Sequence, residues 1–259
     1  MLDNIAKNFL LNGYIKTKLF NISDILMFKK KIIKRIASLS KNQSIIKNHN
    51  DLKFCHKKKK QDGEATRNSY LKSDTRFIGI EKNFLKKKIK ILRPLMKSLW
   101  GHCNYKIVWV GSVNKNQIKI NKAGFRIVRP NLNVDSGSPH IDAYSKNINE
   151  FFTIWFPLVG HGSKYSMVIA KGSHKHHHPS QAFERQKKIL SRAFKQKYLK
   201  NFFFIRPNLK IGEVIVHHPN LIHGGKPNIG RMTRTSIEIR LFNAKTFSKK
   251  KSFDKKICN

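Results

Sequence analysis

Two residues with metal-binding side chains lie close together in the middle of the chain, in the run His140-Ile141-Asp142. If this run is a β-strand, residues i and i+2 point to the same side. The imidazole and the carboxylate then face one point. Such a pair occurs by chance in many sequences, and alone it is better explained as part of a surface loop.

A second histidine strengthens the prediction of a metal site. His223 lies 81 residues after Asp142 and follows a strand-like run at 212–217, so a β-sandwich can bring it opposite the first pair. Two histidines and one carboxylate form a facial triad, which leaves coordination positions open on Fe(II). His217 or His218 remains an alternative to His223 as the distal ligand.

Arg234 and Ser236 are the next part of the pattern. They lie two residues apart at the start of the last long strand-like run, so they share one strand face. Together they can bind a carboxylate with a bidentate fork and a hydroxyl. Trp155, in an apolar run shortly after Asp142, is placed to form a wall of a small pocket.

Short strands must position these residues. Seven β-type runs are separated by turns rich in Gly, Pro, Asn and Ser, which is typical of an antiparallel sandwich or barrel. In the last run Ile237 and Ile239 alternate with Ser236 and Glu238. The seven runs are 105–111, 117–121, 125–130, 151–158, 165–170, 213–217 and 235–242.

Helices are predicted to dominate the N-terminal part, 1–104. Residues 1–40 carry an apolar stripe at helical spacing, with Ser23 as the expected N-cap. A second helix is predicted from 81 to about 100, kinked at Pro94 and ended by Gly101.

The remaining segments are polar. Residues 40–78 are predicted to be a loop, either a mobile lid or disordered. Residues 181–200 carry helix-forming side chains and are expected to form an excursion from the sheets. The chain of 259 residues is thus predicted to be a single domain, with a β core at 105–243 and a basic tail at 244–259.

The charge of the chain comes mainly from lysine. Lys and Arg number 54 against 14 acidic residues, giving a formal charge of +40, and only 12 of the 54 are Arg. The lysines are dispersed and accompany abundant Asn, Ile and Phe, which favours compositional drift over a dedicated nucleic-acid surface. We therefore expect nucleic acid to bind only non-specifically and in a salt-sensitive manner.

Location is predicted from three observations. The most apolar run, 151–160, is about half of the ~20 residues that a bilayer requires, so no membrane span is expected. The N-terminus lacks a basic segment followed by an apolar core, so no signal peptide is expected. Three scattered cysteines favour a reducing compartment, and we expect a cytoplasmic protein.

With these motifs in view, the sequence resembles the phytanoyl-CoA dioxygenase family of non-haem iron, 2-oxoglutarate-dependent oxygenases. The resemblance covers about residues 1–40 and 125–243. It departs from the family pattern at Lys171, where a proline is usual, and Lys119 and Arg126 are both candidates for the first-strand residue of the co-substrate pocket. The matching stretches are 138–142, 153–158, 171–175, 212–217, 221–224 and 234–236.

The resemblance implies a mainly β fold, a double-stranded β-helix of the jelly-roll or cupin type with flanking α-helices. It implies three ligands for Fe(II), namely His140, Asp142 and His223. It also implies three contacts to the co-substrate 2-oxoglutarate, from Arg234, Ser236 and Trp155.

The activity implied is a dioxygenase that hydroxylates a small or medium-sized organic molecule, with O2 consumed and succinate and CO2 released. Halogenases of similar type replace the carboxylate ligand with a small residue, whereas Asp142 is present here. The alternative is a non-catalytic β-helix binding protein whose basic surface takes nucleic acid or anionic glycans.

Overall fold

The computed structural model describes residues 4–39, 46–57, 76–110, 118–132, 135–143, 150–186, 189–224 and 226–249. Within these ranges, no helix is long and apolar enough to cross a membrane. The helices are α1 (Asn4–Asn12), α2 (Ile22–Leu39), α3 (His49–Phe54), α4 (Lys82–Lys88), α5 (Arg93–Trp100), α6 (Gln196–Leu199) and α7 (Ala244–Lys249).

The strands confirm the prediction of a mainly β fold. They are β1 (Tyr14–Lys18), β2 (Phe77–Gly79), β3 (Tyr105–Val110), β4 (Ile118–Ile120), β5 (Lys122–Val128), β6 (Phe151–Val159), β7 (Val168–Ala170), β8 (Phe183–Gln186), β9 (Ile189–Phe194), β10 (Phe204–Ile205), β11 (Glu213–His217), β12 (His223–Gly224) and β13 (Arg234–Asn243).

The large sheet is antiparallel and is organised around β13. Its order is β1-β11-β6-β13-β3-β4, and β5 pairs with the first half of β13 while β2 pairs with β5. Ile237, Ile239 and Leu241 of β13 belong to the core under the helices. Because side chains alternate along a strand, the even-numbered residues of β13 face the second layer.

The second layer is a smaller and less regular sheet. Strands β10, β7 and β12 pair in that order, and β8 and β9 form a separate hairpin. His140 joins these two pieces, since its backbone bridges His223 of β12 on one side and Ala193 of β9 on the other. The segment that carries the first two proposed ligands is therefore an integral part of the small sheet.

Apolar packing fixes both layers. Between the helices and the large sheet, Phe28 of α2 lies 5.4 Å from Phe20 and 5.3 Å from Phe156 of β6, measured between ring centroids. Full burial of such a side chain contributes roughly 1.5–3 kcal/mol. Between the two sheets, a smaller cluster contains Trp155 and Ile215 from the large sheet and Ile169 from the small one.

The N-terminal prediction is correct for α2 but misses a strand. Ile25, Phe28, Ile32 and Ile36 are all buried, as the stripe predicted. Tyr14–Lys18, however, is not helical and pairs with β11 at the edge of the large sheet. The helix begins one residue before Ser23, and Asn21 rather than Ser23 exchanges capping hydrogen bonds with Asp24 at 2.9 Å.

The second predicted helix is divided in two. A 3-10 turn at Ile89–Leu92 separates α4 from α5, and Pro94 lies in the first turn of α5. Proline lacks an N–H and is tolerated there, but not in a helix interior. Gly101 ends α5 in the left-handed conformation, at a φ of 72°, as expected.

The excursion at 181–200 is mainly a hairpin rather than a helix. Strands β8 and β9 bring Phe183 and Phe194 to 4.4 Å between ring centroids, and only α6 follows. The buried pair explains why helix-forming residues adopt a strand here. Of the predicted polar loop and basic tail, residues 40–45, 58–75 and 250–259 lie outside the described residues.

Gly212, just before β11, packs closely against the backbone of Phe20 in the N-terminal segment. Its φ is +80°, and a Cβ added there would lie 1.9 Å from the carbonyl oxygen of Phe20. Gly101 also has a positive φ, but nothing lies within 4 Å of its added Cβ.

We expect Gly101→Ala to lower the free energy of unfolding by about 1–2 kcal/mol, and Gly212→Ala to lower it by more. Denaturant unfolding compares the two, and equal losses would contradict the steric argument.

Candidate metal centre

The structure brings His140, Asp142 and His223 together. One potential ligand atom from each lies within 4.8 Å of the other two. The backbones of the two histidines exchange hydrogen bonds of 2.9 and 3.0 Å, and the amide of Asp142 donates to the Pro219 carbonyl at 2.8 Å. The three side chains are therefore held by one short stretch of sheet, although Asp142 and His223 are far apart in sequence.

Hydrogen bonds set the tautomers of both histidines. Nδ1 of His140 lies 2.9 Å from the carbonyl oxygen of Ser138, and Nδ1 of His223 lies 2.9 Å from that of Leu221. A carbonyl oxygen only accepts, so Nδ1 carries the hydrogen in each ring. Nε2 is then the ring nitrogen that can accept or bind a metal, and it lies 3.9 Å from the Asp142 carboxylate in His140 and 3.8 Å from it in His223. Histidines that bind a metal through one ring nitrogen typically donate a hydrogen bond from the other nitrogen to a carbonyl or carboxylate oxygen, as both rings do here.

The carboxylate of Asp142 is fully buried and is held from two further strands. Thr153 of β6 donates to Oδ2 at 3.0 Å, and Nη2 of Arg240 of β13 donates to Oδ1 at 2.9 Å. Glu238 orients Arg240 in turn, because its Oε1 accepts a 2.7 Å hydrogen bond from Nε and forms an ion pair with Nη2 at 2.6 Å. The carboxylate therefore has a fixed orientation toward the two imidazoles.

Opposing effects act on the pKa of Asp142. Burial alone raises it, but the charge of Arg240, followed by His223 and the neighbouring histidines, holds the pKa well below its ordinary value of 3.8. Because the folded-state pKa lies below the unfolded value, the ionised carboxylate stabilises the fold above pH ~4 and loses this contribution as the pH falls further. Asp142 is thus a charged oxygen donor at neutral pH.

The two other candidate histidines occupy different places. His217 is buried beside the centre, with its ring 4.1 Å from that of His223, but it is not among the three residues whose donor atoms converge. Its pKa is lowered well below the ordinary value, chiefly by burial. His218 points to the opposite side of β11 and packs against Phe9 of α1 and His174. The geometry therefore favours His223 over either as the third ligand.

A turn in the second layer supports His223. Ser173, in the Gly-Ser-His-Lys turn, accepts a 2.8 Å hydrogen bond at its hydroxyl from the backbone amide of Ile222. Gly172 precedes it with a φ of +80°. This contact fixes the backbone one residue before the start of β12.

Arg234, Ser236 and Trp155 belong to the faces of β13 and β6 that are turned toward the small sheet, and the space between the two sheets is called the pocket. Arg234 is buried, with its guanidinium 5.8 Å from the centre of the Trp155 ring and Nη1 donating to the Tyr165 carbonyl at 3.0 Å. Its Nε is buried with no partner among the described atoms. Burial, then the charges of Arg126 and Arg206, lower the pKa of Arg234 to about 9.

The structure distinguishes Arg126 from Lys119, the two candidates for the first-strand residue of the co-substrate pocket. Arg126 of β5 lies opposite Ser236 in the register, and its neighbours Phe125 and Ile127 belong to the core on the other face. Arg126 therefore faces the pocket. Lys119 instead lies over the ring of Phe77, with Nζ 4.6 Å from the ring centre.

Sequence reasoning missed Thr153, Glu238 and Arg240. The alternation of the last strand already placed Glu238 and Arg240 on the same face as Arg234 and Ser236, so a signal was available for those two. Thr153 lies two residues before Trp155 and shares its face in the same way.

Solved structures with a similar fold include non-haem 2-oxoglutarate enzymes, whereas neither a protein-family model nor a curated protein sequence matches the chain. The epimerase SnoN, solved with Fe3+, alpha ketoglutarate and nogalamycin RO, is 14% identical with a TM-score of 0.52, covering 94% of this chain and 84% of its own. The non-heme alpha ketoglutarate dependent carbocyclase SnoK from nogalamycin biosynthesis is 12% identical with a TM-score of 0.54, covering 94% and 85%.

A third similar structure is EctD from S. alaskensis with 2-oxoglutarate and 5-hydroxyectoine. It is 14% identical with a TM-score of 0.53, covering 93% of this chain and 76% of its own. At such identities the likeness establishes the fold alone, and it confirms the predicted double-stranded β-helix. The narrower resemblance to phytanoyl-CoA dioxygenases stays a prediction.

Arg240→Met should destabilise the protein strongly. The substitution leaves the buried Asp142 carboxylate without its cation, for which we expect a loss of about 3–5 kcal/mol. The double variant Arg240→Met/Asp142→Asn should recover much of this loss, because it removes the uncompensated charge. Denaturant unfolding of the metal-free protein measures both, with exposed Arg93→Met as the control. A single variant as stable as the control would contradict the proposed role of the ion pair.

Proposed function

We propose that this protein is an Fe(II)- and 2-oxoglutarate-dependent oxygenase that hydroxylates a small or medium-sized organic substrate, with O2 consumed and succinate and CO2 released. One observation supports the proposal: the converging donors of His140, Asp142 and His223 are held against the same face of β13 that carries Arg234, a buried guanidinium whose Nε has no partner among the described atoms.

The donor set suits iron. Two neutral imidazole nitrogens and one carboxylate form the 2-His-1-carboxylate facial triad, which is typical of non-haem Fe(II) oxygenases and leaves positions for other ligands. His140 and His223 each turn Nε2 toward the Asp142 carboxylate, and Asp142 is ionised and oriented before any ion binds. When bound, Fe(II) and 2-oxoglutarate supply the oxidising chemistry, while the protein supplies positions and electrostatics.

Arg234 suits the distal carboxylate of 2-oxoglutarate. A buried donor without a partner is costly, and a carboxylate would satisfy it with a charge-assisted bond. The Ser236 hydroxyl, two residues along the same strand face, can add a second donor. Trp155 would cover the carbon chain and exclude water from this side of the pocket.

Two of the similar structures support this assignment. SnoN was solved with Fe3+ and alpha ketoglutarate, and EctD with 2-oxoglutarate. The similar structures also include an epimerase, SnoN, and a carbocyclase, SnoK, so the fold does not determine the type of oxidation. Hydroxylation is proposed because Asp142 keeps the carboxylate that halogenases of similar type lack.

Each of His140→Ala, Asp142→Ala and His223→Ala should lose iron binding and succinate production without unfolding. Removing a residue that only hydrogen-bonds to a metal ligand typically lowers metal affinity by about 10–100-fold. Loss of a direct ligand should therefore lower it by more than about 100-fold. Anaerobic Fe(II) titration measures this, circular dichroism checks the fold, and exposed His176→Ala is the control.

The same titration tests the choice of distal histidine. Normal iron binding in His223→Ala together with loss in His217→Ala would show that the proposed triad is wrong. Iron-loaded wild-type protein that never forms succinate with any substrate would favour the non-catalytic alternative.

Arg234→Ala should weaken 2-oxoglutarate binding while leaving iron affinity unchanged. Loss of one charge-assisted carboxylate pair corresponds to about 2–4 kcal/mol. Arg234→Lys should be intermediate, because an ammonium keeps the charge but not the planar fork. The visible charge-transfer band of the anaerobic Fe(II) and 2-oxoglutarate complex reports the affinity, and exposed Arg231→Ala removes the same charge as a control. An unchanged affinity in Arg234→Ala would remove this residue from the site.

A further inference from the structure

Tyr165 holds the guanidinium of Arg234 through its backbone carbonyl. Nη1 of Arg234 donates to this carbonyl at 3.0 Å, and no other described residue accepts a hydrogen bond from the side chain. Arg234 is only 4% exposed, so water has little access to its other donors. The orientation of the guanidinium therefore depends on where the Tyr165 carbonyl lies.

This hydrogen bond determines which edge of the guanidinium is open. In an arginine, Nε–H and one N–H of Nη2 lie side by side on one edge, and Nη1 lies on the other side. Because Nη1 is bonded to Tyr165 and Nε is buried without a partner among the described atoms, the edge formed by Nε and Nη2 is the one that suits a carboxylate. The position of a carboxylate bound there would follow that of the Tyr165 carbonyl.

The ring of Tyr165 is fixed between two glycines from different segments. A Cβ added at Gly160, which follows β6, would lie 2.7 Å from the ring, and one added at Gly230, in the loop before β13, would overlap it. The Tyr165 hydroxyl accepts a 3.1 Å hydrogen bond from the backbone amide of Arg231 in the same loop. Gly230 has no positive φ, so the close approach of the ring is what requires a glycine there.

The carbonyl that precedes Tyr165 is held by the same loop. The oxygen of Lys164 accepts hydrogen bonds from the amide of Ile229 at 3.2 Å and from Nη1 of Arg206 at 3.3 Å. Nη2 of Arg206 also donates to the carbonyl of Pro227 at 2.9 Å. The loop before β13 is thus folded around Tyr165 and its neighbour, and both the ring and the backbone of Tyr165 have fixed positions.

We infer, on the basis of the proposed function, that Tyr165 is a positioning residue that sets the length of the 2-oxo acid that the protein accepts. In the proposed function the 2-oxo end of this molecule lies at the metal centre and the distal carboxylate at Arg234. The number of carbons between them must then match the separation of these two groups. An arginine held by a fixed carbonyl keeps that separation constant, whereas a freely rotating side chain can follow carboxylates at several distances.

The test compares 2-oxo diacids that differ by one methylene. Iron-loaded protein, kept anaerobic, is titrated with oxaloacetate, 2-oxoglutarate and 2-oxoadipate, and the visible charge-transfer band reports each affinity. Wild-type protein should prefer 2-oxoglutarate by at least about tenfold, since one methylene of mismatch in a fitted pocket corresponds to about 10–200-fold.

Tyr165→Ala should lower the affinity for 2-oxoglutarate and reduce its preference over the other two acids to less than about threefold. The affinity for Fe(II), measured by anaerobic titration, should not change, because Tyr165 holds none of the three proposed ligands. Tyr165→Phe keeps the ring between the two glycines and should therefore retain most of the preference.

Gly230→Ala tests the same contact from the other segment. Its Cβ should displace the Tyr165 ring and weaken the preference as Tyr165→Ala does, and this variant serves if Tyr165→Ala does not fold. Gly79→Ala is the matched control, because Gly79 has no positive φ and its added Cβ meets only Nζ of Lys122, at 3.9 Å. The double variant Gly230→Ala/Tyr165→Ala should be no worse than Tyr165→Ala alone, because the ring that causes the clash is absent.

The possible failures are distinct. A Tyr165 that is only structural would lower the melting temperature when replaced by alanine but leave the preference for 2-oxoglutarate intact, and that result would overturn the inference. Equal binding of the three acids by wild-type protein would overturn it as well. Iron-loaded wild-type protein that binds none of the three acids would instead show that the proposed function is wrong.

Discussion

The buried carboxylate of Asp142 constrains the residues around it. A charge removed from water must be compensated, or the folded state loses several kcal/mol. Here the compensation comes from Arg240 on β13 and from Thr153 on β6, while His140 and His223 approach from the small sheet. One carboxylate therefore ties together both layers of the β-helix, and any arrangement of the layers that left it alone would be unfavourable. The metal centre and the contact between the sheets are stabilised by the same interaction.

Strand β13 connects this interaction to the core. Its odd-numbered residues pack under the helices, while Arg234, Ser236, Glu238 and Arg240 line the other face. A slip of one residue would exchange the two sets and expose the core residues to the pocket. The large apolar side of the strand therefore fixes the register of the polar side. This is how Arg234 and Arg240 keep their spacing along one face of the strand.

Patterns within one element were predicted well from the sequence, and pairings between elements were not. The stripe of α2 and the alternation of β13 follow from periods of 3.6 and 2, so Phe28 and Ile237 could be placed in the core. The pairing of Arg240 with Asp142 spans 98 residues and depends on which strands become neighbours. The same kind of long-range pairing makes Tyr14–Lys18 a strand beside β11 and pairs Phe183–Gln186 with Ile189–Phe194 in place of a helix. The order of His140, Asp142 and His223 and the family resemblance predict them as ligands, and the structure adds the convergence of their donor atoms.

The interior and exterior charges of this protein act differently. Surface lysines are hydrated and screened by salt, so they attract polyanions without selecting among them. Arg234 and Arg76 are desolvated and repelled by neighbouring arginines, and their pKa values are lowered to about 9 and about 10. A buried guanidinium is more stable beside an anion than beside a neutral molecule of the same shape, because the anion supplies both opposite charge and hydrogen-bond acceptors. This difference is the electrostatic basis of the contact that we propose between Arg234 and a carboxylate.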